Sequence, residues 1–427
     1  MPTAVSNRRR GIDFILLAIV ASLLGFGVLS VYSASYADAL RLKDNSAYFV
    51  LRQWVWAGIG VAALVVMTMI DYHVWRRFAI PIMAVALLGL VAVLVLSEER
   101  FGAQRNLVNG SIQPSELAKL AVIIYLAAWL STHEKNFRNV RLGLVPFAFV
   151  LGIITVLIVE DPNFSMAILV VVTAVAMFFI AGADLKQLAI TFLVLALTFG
   201  VLISQSDYAQ GRVRDYIAFV QDPAQGGSDQ ARRAVMLLMQ GRLWGRGGPG
   251  ATQMEPEAYI QVGWSDAILA IVGRDTGLVG TLSIVGLFAG LLYRGFRIAV
   301  RARDSFGTFL AAGITFWLVF QAIINIGVIT AMIPFTGMPL PFISYGGSSL
   351  VTAMMGIGLL LSVSRGARPM EETSASFVMR GGDRRARLSS LSDRALPRRA
   401  APRSPADSGR RPSRRSGRPR RSSGHRA

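Results

Sequence analysis

The stretch 8-RRRGIDFILLAIVASLLGFGVLSVYS-33 sets three arginines against an apolar run, Ile12 to Ser33, of the roughly 20-residue length that crosses hydrocarbon. Arginines ahead of a first span place the N-terminus inside. Ala37-Asp38-Ala39 has the small-residue look of a signal cleavage site, but the apolar run exceeds the ~7–15 residues of a signal core, so an uncleaved span is expected. Outward from this run, apolar segments recur at about 47–70, 78–97, 117–130, 143–159, 165–182, 188–203, 266–293, 306–330 and 348–363. Basic residues punctuate alternate connections: Arg76 and Arg77, the stretch 133–141, Lys186, and the cluster Arg294, Arg297, Arg301 and Arg303. The expected fold is therefore all-α, a polytopic integral membrane protein of about ten transmembrane helices with both ends inside.

Composition agrees, with 53% hydrophobic residues and a mean hydropathy of +0.50. The absence of cysteine excludes disulfides, Cys-ligated zinc and thiol catalysis, and the three histidines, His73, His133 and His425, are scattered. The chain divides into a basic cytoplasmic N-terminus (1–10), a transmembrane domain (11–365) holding a long outer loop (204–265), and a tail (366–427). From Arg365 onward there are 18 Arg against five acidic residues, so this end supplies +13 of the formal +19. Low hydrophobicity with high like charge predicts a disordered cytoplasmic tail. Beside a membrane, anionic lipid or an acidic partner is a better match for it than nucleic acid.

Candidate chemistry gathers on the outer side. In 255-EPEAYIQVGWSDAILAIVGRDTGLVG-280, Asp266 stands where a polar stretch enters an apolar helix; a carboxylate there needs a reason. It is either a general base or, with Ser265, a cap on the incoming helix. Glu116 and Lys119, three residues apart at the start of the fourth segment, share a helical face and form either an intramembrane ion pair or part of a site. Gly241 to Gly250, GRLWGRGGPG, could close on an anion beside Arg242 and Arg246, or be simply a mobile glycine-rich loop. Segments 215–220 and 231–239 read as short interfacial helices. Asn325 must satisfy its amide within the bundle, as packing or as part of a site. Three prolines stiffen Pro334 to Ser349, which carries Ser344 and Tyr345 and leads to a helix capped by Ser348 or Ser349.

Gln113-Pro-Ser-Glu116 followed by Leu-Ala-Lys119, the segment QAIINIG (321–327), and Thr336-Gly-Met-Pro-Leu-Pro-Phe-Ile-Ser-Tyr-Gly-Gly-Ser-Ser349 closely resemble the signatures of the SEDS family of FtsW and RodA type. The likeness runs from about Gly11 to Arg365, and the long tail leans toward the FtsW type. It implies a ten-helix membrane glycosyltransferase that polymerises lipid II into glycan strands at the outer face of the bacterial cytoplasmic membrane. The implied partners are lipid II, the undecaprenyl-linked strand, a class B penicillin-binding transpeptidase and the division or elongation complex. A lipid-precursor flippase or a transpeptidase scaffold are the alternatives. The family's essential Asp falls on Asp266, its Arg on Arg105, and its Glu and Lys on Glu116 and Lys119. Arg242, Arg246, Asn325, Ser344 and Tyr345 complete the expected substrate-binding set. No cofactor is implied; a divalent cation could assist, without a dedicated site in the sequence. Departures from the family pattern fall at Asn106, Asn163, Trp264, Ser265, Ala267, Arg274 and Asp275.

Overall fold

The computed structural model describes residues 11–96, 113–133, 145–160, 164–247 and 263–366, all within one compact unit, Met1–Met370. Arg105, Asn106, Asn163, residues 248–262, the N-terminal 1–10 and the tail from 367 lie outside the described residues. The described part is built of helices alone: α1 (Phe14–Lys43), α2 (Tyr48–Met69), α3 (Tyr72–Arg77), α4 (Ala79–Leu96), α5 (Pro114–Thr132), α6 (Val145–Glu160), α7 (Phe164–Ile180), α8 (Leu185–Gln205), α9 (Asp207–Gln221), α10 (Asp229–Gly241), α11 (Ile268–Val300), α12 (Ser305–Ile329) and α13 (Gly347–Gly366). Seven of them, α1, α2, α5, α8, α11, α12 and α13, are long and apolar enough to cross a membrane; α4, α6 and α7 contain shorter apolar stretches.

Burial sorts the helices into an inner and an outer set. The most hydropathic windows of α12 and α13 are 72% buried and that of α5 67%, against 11% for α8 and 22% for α2. A helix hydrophobic all round is either buried or lipid-facing, and α8 with its exposed Phe192, Leu193 and Leu197 is of the second kind. α2 packs along α13, α11 along α12, and α1 along α11. The α1–α11 pair is tied near both ends. Asp13 caps α1 through Leu16 N–H and pairs with Arg294, while Ser33 donates to the Asp275 carboxylate.

α11 differs from the uniform span expected from 266–293. It is broken at Gly277, where φ 69° and ψ −164° form a backbone that only glycine adopts readily. Ile268 to Arg274, before the break, is buried on every side, whereas Leu278, Val279 and Leu282 after it are exposed. The part after the break, Leu278–Val300, alone has the ~20-residue length needed to cross hydrocarbon.

The backbone groups freed at the break are met by the segment after α10. The N–H groups of Arg246 and Gly247 donate to the carbonyls of Arg274 and Asp275 at 2.8 and 3.1 Å. The N–H groups of Leu278 and Val279 donate to Arg242 and Leu243 at 2.9 and 3.2 Å. Backbone groups released from a helical ladder need other partners, and these four bonds supply them. The approach is close enough that a Cβ on Gly245 would lie 2.2 Å from the Asp275 carbonyl. Gly241–Gly247 is thus a pinned splint on α11, which corrects the expectation of a mobile loop for its described part. The two helices expected in the long loop are present and longer than expected, as α9 and α10.

Candidate functional site

A polar cavity of about 220 Å³ opens between the start of α5, the start of α7, the turn before α11, the middle of α12 and the loop leading into α13. Its lining includes Glu116, Lys119, Asp266, Gln321, Tyr345 and Ser349. Residues as far apart in sequence as Glu116 and Ser349 therefore face one space.

Asp266 sits in a turn, and α11 starts two residues later at Ile268. Ala267 occupies the cap position and makes no side-chain capping bond, so Asp266 stands one residue ahead of the cap. Its Oδ1 accepts from Ser265 Oγ at 2.9 Å. Its Oδ2 lies against Gly337, where a Cβ would come within 2.9 Å. A side chain at 337 would push the carboxylate aside.

Glu116 and Lys119 form a buried ion pair, Nζ to Oε2 at 2.8 Å, with both side chains 4% exposed or less. Lys119 Nζ also donates to Gln321 Oε1 at 3.1 Å and lies 5.2 Å from the centre of the Trp317 ring. Two ions taken out of water need this much compensation. Gln321, the first residue of the QAIINIG signature, lines the cavity although it was not among the expected site residues, and a signal for it was present: two amides, Gln321 and Asn325, four apart on one face of a membrane-length helix.

The loop before α13 forms another wall. Tyr345 faces the cavity, with its N–H on the Trp264 carbonyl at 3.0 Å and its ring edge-on to Phe49 at 5.6 Å. Burial pushes its phenol above the ordinary value, so it stays protonated and able to donate at neutral pH. Ser344 is buried and does not line the cavity; its Oγ accepts from Leu340 N–H at 2.8 Å and shapes the turn. Asn325 lies behind the lining and holds the backbone carbonyls of Asp266 and Met338. Ser348 and Ser349 are in the first turn of α13, which begins at Gly347, and both line the cavity. Arg242 and Arg246 are exposed, on the splint at Gly277, and are not among the lining residues.

Next to this cavity lies a larger apolar groove of about 770 Å³ between α7, α8, α9 and α12, which shares Ser165 and Gly337 with it. Arg212, on α9, lines the groove and donates to the Phe335 carbonyl at 2.8 Å. No group of three or more His, Cys, Asp or Glu that could hold a metal occurs among the described residues.

The chain resembles known proteins along most of its length. A family model named for FtsW, RodA and SpoVE and described as cell cycle protein matches residues 14–369. The protein named probable peptidoglycan glycosyltransferase FtsW from Trichlorobacter lovleyi is 34% identical over 362 residues, covering 83% of this chain and 94% of that one. Stage V sporulation protein E from Bacillus subtilis is 36% identical over 368 residues, covering 85% and 100%. Among solved structures, a chain from work on the structural coordination of polymerization and crosslinking by a peptidoglycan synthase complex superposes with a TM-score of 0.67 at 26% identity, covering 83% of this chain and 98% of that one. The rod shape determining protein RodA of Thermus thermophilus shares the fold, with a TM-score of 0.62 at 24% identity over 84% and 98%.

Proposed function

Because the chain belongs to the FtsW, RodA and SpoVE family of cell cycle proteins, we propose that it is a multi-span membrane glycosyltransferase that polymerises peptidoglycan glycan strands from lipid II. The observation that carries this reading is the polar cavity with Asp266 on one wall and the Glu116–Lys119 pair on another, adjoined by an apolar groove suited to a polyprenyl chain. The site would face outward in a cytoplasmic membrane, with both chain ends inside.

In the mechanism, Asp266 acts as general base. It takes the proton from the acceptor sugar hydroxyl as that oxygen bonds to the anomeric carbon of the growing strand, and the bond from that carbon to the lipid pyrophosphate breaks. Negative charge develops on the leaving pyrophosphate, and a fixed cation in a water-poor site lowers that barrier. Lys119, held by Glu116 and Gln321, is placed for this, with Arg105 as the second cation expected from the family likeness. Tyr345 is a neutral donor for a sugar or phosphate oxygen. Arg242 and Arg246 drop out of the pyrophosphate set because they lie on the splint.

The partner class is a penicillin-binding transpeptidase, supported by the likeness to a chain of a peptidoglycan synthase complex. The division role is supported by the relatives named FtsW. The cavity beside an apolar groove would also suit a translocator of the same lipid, so the test separates the two. Purified full-length protein in liposomes, given lipid II, should produce glycan polymer. Transbilayer movement of the lipid without polymer would replace the enzyme with a flippase, and neither would leave a scaffold.

A further inference from the structure

The loop that roofs the cavity, Thr336-Gly-Met-Pro-Leu-Pro-Phe342, is short of backbone donors because Pro339 and Pro341 have no N–H. Its carbonyls must find donors elsewhere, since a buried carbonyl without one is costly. They find them on α12. Gln321 Nε2 donates to the Pro339 carbonyl at 2.9 Å, and Asn325 Nδ2 donates to the Met338 carbonyl at 2.8 Å. Gln321 and Asn325 are each 1% exposed and one helical turn apart.

Each amide also reaches a second element. Asn325 Nδ2 donates to the backbone carbonyl of Asp266 at 2.9 Å, while Gln321 Oε1 accepts from Lys119 Nζ at 3.1 Å and from Trp317 Nε1 at 3.0 Å. Asn325 faces two carbonyls, which fixes its amide with the NH₂ toward them. A packing role needs one partner per amide; here both amides clamp adjacent peptides of one loop, and each also grips one of two charged residues, Lys119 on α5 and Asp266 in the turn before α11.

We propose that Gln321 and Asn325 are positioning residues which set the Asp266 carboxylate and the Lys119 ammonium relative to each other, with the successive carbonyls of Met338 and Pro339 as their common reference. This rests on the cavity being the transfer site. The backbone carbonyl of Asp266 is fixed from α12, at the entry to α11. Lys119 is fixed from the same helix one turn away. A displacement near 1 Å at a reacting group costs about 100-fold in rate.

The test compares full-length wild type, Asn325→Ser and Gln321→Met in nanodiscs with Ser362→Ala, which removes a buried tie of the same kind, Ser362 Oγ to the Ile70 carbonyl at 2.7 Å, remote in sequence from every cavity residue except those beginning α13. Lipid II polymerisation, thermal unfolding and amide hydrogen exchange are read together. Asn325→Ser should lower kcat by about 100-fold with KM within about threefold, and Gln321→Met by about 10-fold or more. Exchange should rise at 336–345 and 264–270 in Asn325→Ser, while Ser362→Ala shifts unfolding and leaves kcat within about twofold. Retention of kcat within about threefold in Asn325→Ser, or unchanged exchange in both segments, would overturn the proposal. If wild type exchanges as expected but forms no polymer, the polymerase reading fails; a rise in exchange in Asn325→Ser would then still support the clamp.

Discussion

Gly241–Gly247 and Thr336–Ser349 are both irregular, glycine-bearing segments beside the start of a membrane-length helix, and both carry side chains suited to binding an anion or a sugar. The first meets α11 through four backbone hydrogen bonds and leaves its arginines exposed. The second is held from behind by Gln321 and Asn325 and turns Tyr345, Ser348 and Ser349 toward the cavity. What separates them is where their backbone needs are met. The N–H groups that the first segment spends on the broken helix, those of Arg246 and Gly247, are no longer open to an anion. A proline-rich segment whose carbonyls are served by a neighbouring helix can offer its side chains to a ligand.

This contrast predicts different failures. Gly277→Ala should be the most damaging single change for the fold, at about 3 kcal/mol or more, because it adds strain at a glycine-only backbone and a Cβ 2.5 Å from the Leu243 carbonyl. Loss of the monodisperse folded fraction in detergent reads it; a fully stable variant would show that the splint is dispensable. Lys119→Met should come close behind, at about 3 kcal/mol, because Glu116 is left buried without its cation. Adding Glu116→Gln should restore folding. If Lys119 serves only its partner, the double variant regains polymerisation; if it also meets the pyrophosphate, the double variant folds and stays inactive.

Much of this arrangement was readable before the structure, for reasons that differ by residue. The apolar segments coincide with α1, α2, α4–α8 and α11–α13 because hydrocarbon demands a fixed length of apolar helix, a property each segment carries alone. The break at Gly277 was not readable, since GRDTGLVG continues a helical pattern and the unusual backbone depends on a partner some 30 residues upstream. Glu116, Lys119 and Asp266 were placed together by topology and family likeness, and they line one cavity. Arg242 and Arg246 were placed there by their glycine neighbours, and the splint carries them elsewhere. Trp264 and Asp275, where the chain departs from the family pattern, have local partners: Trp264 packs 5.0 Å from Phe49, and Asp275 accepts from Ser33.

Removing charge from the splint should matter less than either change above. Arg242→Gln with Arg246→Gln keeps the backbone bonds and should leave polymerisation within about threefold, since neither arginine lines the cavity. A drop of about 10-fold or more would return them to the substrate. The smallest effect is expected at the turn between α2 and α3. Burial of Asp71 works against its charged form, but hydrogen bonds and charge from His73 outweigh this and hold its carboxyl below the ordinary 3.8. Its contribution is therefore complete above that pH and lost as pH falls through the lowered value. Asp71→Asn should flatten only that acidic edge of a stability profile.

Sugar transfer in the cavity depends on Asp266 as base. Asp266→Asn keeps the size of the side chain, and the backbone carbonyl that Asn325 holds, while removing the carboxylate that takes the proton. Polymerisation of lipid II by the purified, folded variant should fall by about 100-fold or more, the scale that general-base catalysis supplies, with thermal stability close to wild type. Polymerisation at the wild-type rate by folded Asp266→Asn protein would show that Asp266 is not the base.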